Sequence, residues 1–246
     1  QDTARKFAAS RLAPNAEEWD RNAYFPRDAI RDMGDLGLMG ILVPEEFGGA
    51  NADFISYVVA LSEISGGDGG TSVTMAVQAV AETCIMSFGT EAQKAKYLPK
   101  LAQAEILGAF MLTEPHTGSD AGSIRCRAER VGNQYVLNGT KQFITTGSNA
   151  DIAITFAMTD PAKGSRGISA FIVPTDTPGY QVARLEHKLG QKSNDTAQIV
   201  LEEVKIGPEK LLGEEGEGYK IALSNLESGR IGIAAQSVGF ARAAYI

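Results

Sequence analysis

The chain has 246 residues, 43% of them apolar and 22% charged, with a formal net charge of −7. This composition excludes a disordered or collagen-like chain, the acidic balance argues against nucleic-acid binding, and no apolar run approaches the ~18 residues of a membrane helix. Two cysteines and two histidines are too few for a disulfide framework, a four-cysteine zinc site or a histidine-rich metal site, so no metal ligands are expected; the first residues carry no apolar signal stretch, and a cytoplasmic setting is expected, or the mitochondrial matrix in a eukaryote.

Residues 1–106 read as an N-terminal helical domain. Phe7, Leu12 and Trp19 punctuate a charged first helix, and Pro26 opens a second, since proline costs nothing in a first helical turn. Ile41, Leu42, Val43 and Pro44 read as a short extended segment. Asp53 is the expected cap of the helix carrying Ile55, Val58 and Val59. The glycines between 66 and 70 break the chain, and residues 73–88 are apolar almost all round, as in a buried helix. Thr90 caps a further helix that Pro99 is expected to bend or interrupt.

Residues 107–213 switch to an alternating period. Strands are expected at 125–130, 135–137, 141–145, 152–158, 168–173, 180–185 and 198–204, with turns at Gly132-Asn133 and at Asn138-Gly139. Many short strands with regular punctuation argue an antiparallel barrel or sandwich of roughly 100 residues. Residues 214–246 return to the helical period. Tyr219, Ala222, Leu226, Ile233 and Phe240 fall on one expected apolar stripe, and no capping signal ends the helix before Ile246. The reading is α+β: an all-α domain, a β domain, then the first helix of something whose remainder is absent.

No G-x-S-x-G elbow, Walker A loop or H-E-x-x-H motif occurs, and Gly213, Gly216 and Gly218 do not form a dinucleotide-binding fingerprint. The most informative stretch is Phe110-Met111-Leu112-Thr113-Glu114-Pro115-His116-Thr117-Gly118-Ser119-Asp120. Thr113 and Ser119 offer hydroxyls, and Gly118 allows close approach of backbone to a ligand. From the residues alone, an anion-binding turn and a plain structural turn are equal readings.

Thr113-Glu114-Pro115 followed by Gly118-Ser119-Asp120 resembles the signature of acyl-CoA dehydrogenases. Four further segments resemble that family in order: Val43-Pro44-Glu45-Glu46-Phe47-Gly48-Gly49, Asn138-Gly139-Thr140-Lys141-Gln142-Phe143-Ile144-Thr145, Lys188-Leu189-Gly190-Gln191-Lys192-Ser193-Asn194-Asp195-Thr196, and Gly229-Arg230-Ile231-Gly232-Ile233-Ala234. The resemblance spans essentially the whole chain. It implies a helical domain, a middle antiparallel β-barrel and a C-terminal helical bundle. It also implies FAD as cofactor, an acyl-CoA substrate, an electron-transfer flavoprotein as partner, and a homo-oligomer (dimer or tetramer) when complete.

By this resemblance Phe110, Leu112 and Thr113 face the edge of the flavin ring, and Ser119 reaches the flavin diphosphate or the thioester ligand. Phe143 stands where most members have Trp packed on the ring, and Thr145 brings its hydroxyl to flavin N5. Arg230 contacts the CoA portion, with Glu227 beside it. The residues alone allow blander roles: Phe143 and Ile144 as barrel core, Thr145 as an ordinary strand residue, and Arg230 salt-bridged to Glu227.

The family reaction needs a Glu to take the α-proton. In most members it lies late in the C-terminal domain, here expected beyond Ile246; in a minority it stands where this chain has Gly229. Glu227 lies about 200° from that position on a helix and is not assigned as catalytic. No residue of this chain is therefore expected to be the base. Glu114 is expected to stabilise its turn, Cys84 to be a core thiol, and Met75, Val77 and Val80 to bound the acyl pocket. The resemblance leaves open a related flavin oxidase, or a non-catalytic module that binds CoA thioesters. The segment from Gly229 to Ala234 most resembles that of short-chain and short/branched-chain members, which implies a short to medium, linear or branched acyl-CoA.

Overall fold

The computed structural model describes residues 1–245. Its first part is helical: α1 (Asp2–Phe7) widens into a π-helical stretch (Ala8–Leu12) and continues as α2 (Ala13–Asn22). Then come α3 (Arg27–Asp35), α4 (Phe54–Gly67), α5 (Gly69–Phe88) and α6 (Glu91–Ala102). The last three start on side chains that take up free N–H groups of the first turn. Asp53 accepts from Ser56 N at 2.7 Å, Asp68 from Thr71 N at 2.7 Å, and Thr90 and Gln93 form a reciprocal capping box. Pro99 does not stop α6, which runs three residues further to Ala102. Buried Leu98 and Leu101 hold this last turn against the core although proline removes one of its hydrogen bonds. The segment 41–44 is a turn rather than extended chain.

Among the described residues eight strands follow: β1 (Gly108–Met111), β2 (Arg127–Val131), β3 (Gln134–Thr145), β4 (Ile152–Met158), β5 (Ile168–Pro174), β6 (Tyr180–Leu185), β7 (Thr196–Ile206) and β8 (Leu211–Leu212). They form one sheet in the order β6-β7-β3-β2-β4-β5-β8, with β1 beside β4. The expectation of an antiparallel barrel is corrected in two respects. The hydrogen-bonded path has two ends, at β6 and β8, instead of closing. Moreover, β1 runs parallel to β4, from Gly108 opposite Ile152 to Met111 opposite Thr155, and β2 touches β4 in parallel as well. Parallel neighbours need a long connection, and the β2–β3 ribbon supplies it between β1 and β4.

A second correction concerns Asn138-Gly139. It is no turn: β3 runs straight through it as one strand against β7, with the register slipping between Leu137 and Gly139. A Cβ on Gly139 would sit 2.7 Å from the Cys126 Cα, so the pair marks a bulge where two backbones nearly touch.

α7 (Gly218–Tyr245) closes the described chain. Its buried positions are Gly218, Ile221, Ala222, Asn225, Gly232, Ala235, Gln236 and Gly239, not the expected large-residue stripe. Of that stripe only Ala222 is buried, and Ile233 is exposed. Small residues win this face because α7 lies close to α4: a Cβ on Gly239 would stand 1.9 Å from the Ser65 Oγ. The helices-first, sheet, then helix order of the α+β reading holds. One hydrophobic core, from Ala81, Cys84 and Ile85 to Phe156, Ile168 and Ile221, joins α5, α6, the sheet and α7. No helix among the described residues is long and apolar enough to cross a membrane.

Candidate functional site

Where α5, β1, the end of β3 and α7 meet, they leave a cleft of about 610 Å³, within the ~300–1,000 Å³ range of small-molecule sites. α5 contributes Ala76, Val77 and Val80. β1 and the loop after it contribute Phe110, Leu112, Thr113, Gly118 and Ser119; β3 contributes Phe143, Ile144 and Thr145. α7 contributes Asn225, Leu226, Gly229, Arg230 and Ile233.

The loop is built from a tight turn, in which Glu114 and Thr117 exchange backbone hydrogen bonds of 2.9 and 3.1 Å. The Thr117 hydroxyl donates to the Asp120 carbonyl at 2.6 Å, and Gln142 N donates to the Thr113 carbonyl at 2.9 Å. Glu114 is buried beneath the turn. Its carboxylate accepts from Arg125 N (2.7 Å), Cys126 N (2.9 Å) and Lys141 Nζ (2.9 Å). The structural role expected of Glu114 is thus made by partners that the sequence reading did not supply. A charged residue inside an otherwise alternating strand was the available signal for Lys141. Beside this pair, burial pushes the Cys126 thiol up to about 11, with the Lys141 ammonium pulling partly the other way. His116 lies at the outer side of the loop, its Nε2 3.2 Å from the Ser123 carbonyl.

The end of β3 is irregular. The ladder to β7 slips again between Lys141 and Ile144, and Phe143 stands in this slip at φ 59°, the residue 61% exposed. Phe143 is therefore not barrel core, whereas Ile144, at 2% exposed, is. Thr146, also at positive φ, is buried directly after Thr145. Asn194 Nδ2 donates to the Thr146 hydroxyl (3.1 Å) and to the Thr74 hydroxyl of α5 (2.8 Å). Thr146 N donates to the Asp195 carbonyl at 3.0 Å. Ser193 next door donates to Asp68, so the segment before β7 fixes the Thr145 corner to the start of α5.

Phe110, Leu112, Thr113, Ser119, Phe143, Thr145 and Arg230, from three separate segments, all line this one cleft. Glu227 does not; it lies on the exposed side of α7. Arg230 is exposed and has no carboxylate within 4.0 Å among the described residues, so the alternative ion pair with Glu227 is not formed. Val77 and Val80 line the cleft as expected, but Met75 is buried in the helical core, because it lies 140° around α5 from Val80. Ala76, Asn225 and Ile233 were not foreseen as wall residues. Asn225 is 1% exposed; its Nδ2 donates to the Ile221 carbonyl at 2.8 Å, and its Oδ1 has no partner among the described residues.

Chemically, the cleft combines an apolar wall, three hydroxyls, an outward-turned aromatic ring and a guanidinium. Such a set suits a planar ring and an anionic ligand; no carboxylate or imidazole among the described residues lines it.

Comparison with known proteins gives a consistent result. Residues 1–105 match the N-terminal domain of acyl-CoA dehydrogenase, and residues 109–204 match its middle domain. An acyl-CoA dehydrogenase of Bacillus subtilis is 49% identical over 98% of this chain and 64% of its own length. A chain from the structure of the electron transferring flavoprotein of Acidaminococcus fermentans superposes with a TM-score of 0.97 at 45% identity, over 99% of this chain and 64% of that one. Butyryl-CoA dehydrogenase from Megasphaera elsdenii gives 0.95 at 41% identity, over 98% and 64%. A glutaryl-CoA dehydrogenase from Mycobacterium smegmatis in complex with FADH2 gives 0.91 at 37% identity, over 98% and 61%. The chain thus spans less than two thirds of the length of these relatives.

Proposed function

The chain belongs to the acyl-CoA dehydrogenase family, and from that premise we propose that it forms the N-terminal helical domain (1–106), the middle domain (107–213) and the start of the C-terminal helical domain (214–246) of an FAD-dependent acyl-CoA dehydrogenase. The proposed reaction is α,β-dehydrogenation of a short-chain acyl-CoA thioester to the trans-2-enoyl-CoA, with the electrons passed to an electron-transfer flavoprotein. The observation that carries this reading is the gathering of Phe110, Leu112, Thr113, Ser119, Phe143, Thr145 and Arg230 into one cleft.

Two features of the cleft fit a flavin. The Phe143 ring is turned outward on a backbone that aromatic residues rarely adopt. The Asn225 carboxamide leaves a buried acceptor oxygen open to a donor. When bound, FAD supplies the two-electron acceptor for the hydrogen leaving Cβ.

The chain's own residues then act as follows. Phe143 would hold the ring by its face, and the Thr113 and Thr145 hydroxyls, which line the same cleft, would donate to its edge, Thr145 toward N5. A preorganised donor there stabilises charge as it arrives, without reorganisation cost. Ser119 reaches the diphosphate or the thioester. Arg230, without a carboxylate partner among the described residues, holds CoA by charge-assisted hydrogen bonds. Ala76, Val77 and Val80 seat the acyl chain away from water, each buried CH₂ contributing about 0.8 kcal/mol. The base that takes the α-proton is proposed to be a Glu beyond Ile246, since the alternative position is Gly229. Assembly of the complete protein as a homo-oligomer is part of the same proposal.

The short-chain preference draws on the likeness to butyryl-CoA dehydrogenase. It is tested by adding a chain-length series of acyl-CoA thioesters anaerobically to the full-length, FAD-loaded protein and following loss of flavin colour. Bleaching greatest with short chains is expected. An optimum at roughly sixteen carbons contradicts it, because at about 0.8 kcal/mol per CH₂ only a deep pocket rewards such length.

A further inference from the structure

Lys141 is completely buried. Its ammonium donates to the Leu112 carbonyl at 3.0 Å and to Glu114 Oε1 at 2.9 Å. Glu114 in turn accepts the backbone N–H groups of Arg125 and Cys126. A buried ion pair is seldom more stabilising than an apolar pair of similar volume, so stability alone does not account for this one. Its position does. Leu112 and Glu114 flank Thr113 in the loop that lines the cleft, and Lys141 stands two residues before Phe143 on the strand that lines its other side.

The ammonium sits on the oxygen end of the peptide joining Leu112 to Thr113. No peptide bond among the described residues is cis, and in a trans peptide the C=O and N–H point in opposite directions. The Thr113 N–H therefore points away from the buried pair, and Thr113 itself lines the cleft. A cation on the carbonyl oxygen polarises the amide and strengthens its N–H as a donor.

We propose that Lys141 is a positioning residue for the flavin: it holds the peptide between Leu112 and Thr113 with its N–H toward the ring edge, strengthens that donor for the extra negative charge of the reduced ring, and has Glu114 as the counter-charge that limits the effect. This rests on the FAD reading above.

The test uses the full-length, FAD-loaded protein and the variants Lys141→Met, Lys141→Arg and Glu114→Gln. The flavin midpoint potential is measured by equilibrium reduction with a reference dye, and FAD affinity by titration of the apoprotein. Lys141→Met is expected to lower the potential and to weaken FAD binding about tenfold, as for loss of a charge-assisted hydrogen bond. Lys141→Arg, which keeps the cation, stays near wild type. Glu114→Gln shifts the potential upward, opposite to Lys141→Met. A packing role predicts the same sign for both variants or no shift, and either result overturns the proposal. If Lys141→Met does not fold, Glu114→Gln decides alone: a potential at or below wild type overturns it. Wild-type protein that takes up no FAD refutes the functional reading and this inference together; uptake with unmoved potentials refutes the inference only.

Discussion

Phe143 sits at φ 59°, a conformation that costs a bulky side chain on the order of 1–3 kcal/mol and persists where surrounding structure or function demands it. Its exposed ring gains little from burial in the protein itself. Phe143→Gly is therefore expected to leave the melting temperature of the flavin-free protein unchanged or higher while weakening FAD binding; a lower melting temperature with unchanged FAD affinity would make Phe143 a structural residue. Thr145 makes a different prediction. Thr145→Ala is expected to slow flavin reduction, by up to about 3 kcal/mol in barrier for a lost preorganised donor, and to change acyl-CoA affinity much less. Rapid-mixing reduction rates equal to wild type would leave Thr145 an ordinary strand residue. The chemical types at these positions were legible in the sequence. The strain at Phe143 was not, because a bulge shows itself only once the partner strand is in place. The Lys141–Glu114 pair was equally hidden, since its two members lie 27 positions apart.

Among the elements, the long strand β3 and the helix α7 show how local pattern and tertiary contact diverge. Asn138-Gly139 carries the composition of a hairpin turn, yet the approach of Cys126 and the ladder to β7 keep the strand running through it. On α7 the large residues suggested one buried stripe, whereas contact with α4 selected a face of small ones. Most other strands, and the caps Asp53 and Thr90, follow their local signals because nothing in the tertiary structure competes with them. The close α4–α7 contact gives a paired test. Gly239→Ala places a Cβ 1.9 Å from the Ser65 Oγ and 2.3 Å from the Ser62 carbonyl oxygen, and is expected to destabilise by about 1–3 kcal/mol through overpacking. Gly66→Ala meets its nearest atom only at 3.7 Å and is expected to be neutral or mildly stabilising, as Ala is the better helix former. Urea unfolding of the two variants checks this; equal stabilities would mean that the helices adjust their spacing freely.

For the molecule as a whole, two buried carboxyls set opposing pH dependences. Glu63 of α4 accepts from Arg5 of α1 and Arg242 of α7, and so ties three helices together. Its hydrogen bond from Arg5, with further help from Gln1 and Arg242, lowers its pKa from 4.5 to about 2. A depressed carboxyl stabilises the fold above its unfolded value and loses that contribution as pH falls. Glu63→Gln should therefore flatten the loss of stability between pH about 4.5 and about 2. Glu82 of α5 has no partner for either oxygen among the described residues, and burial raises its pKa well above 4.5. Its sign is reversed: the contribution is complete below 4.5 and is lost as pH rises through the folded value. Glu82→Gln should reduce the decline on that side, and urea unfolding at a series of pH values reads both slopes.

In the proposed enzyme, flavin and thioester meet in the cleft between α5, the 112–119 loop, the end of β3 and α7. A crystal structure of the full-length protein with FAD and a non-reactive acyl-CoA analogue tests it most directly. The flavin ring is expected to pack on Phe143 with the Thr145 hydroxyl at N5, and the thioester to lie between the ring and Val80, with Arg230 on the CoA portion. A flavin bound elsewhere, with Phe143 facing solvent and the cleft empty, would contradict it.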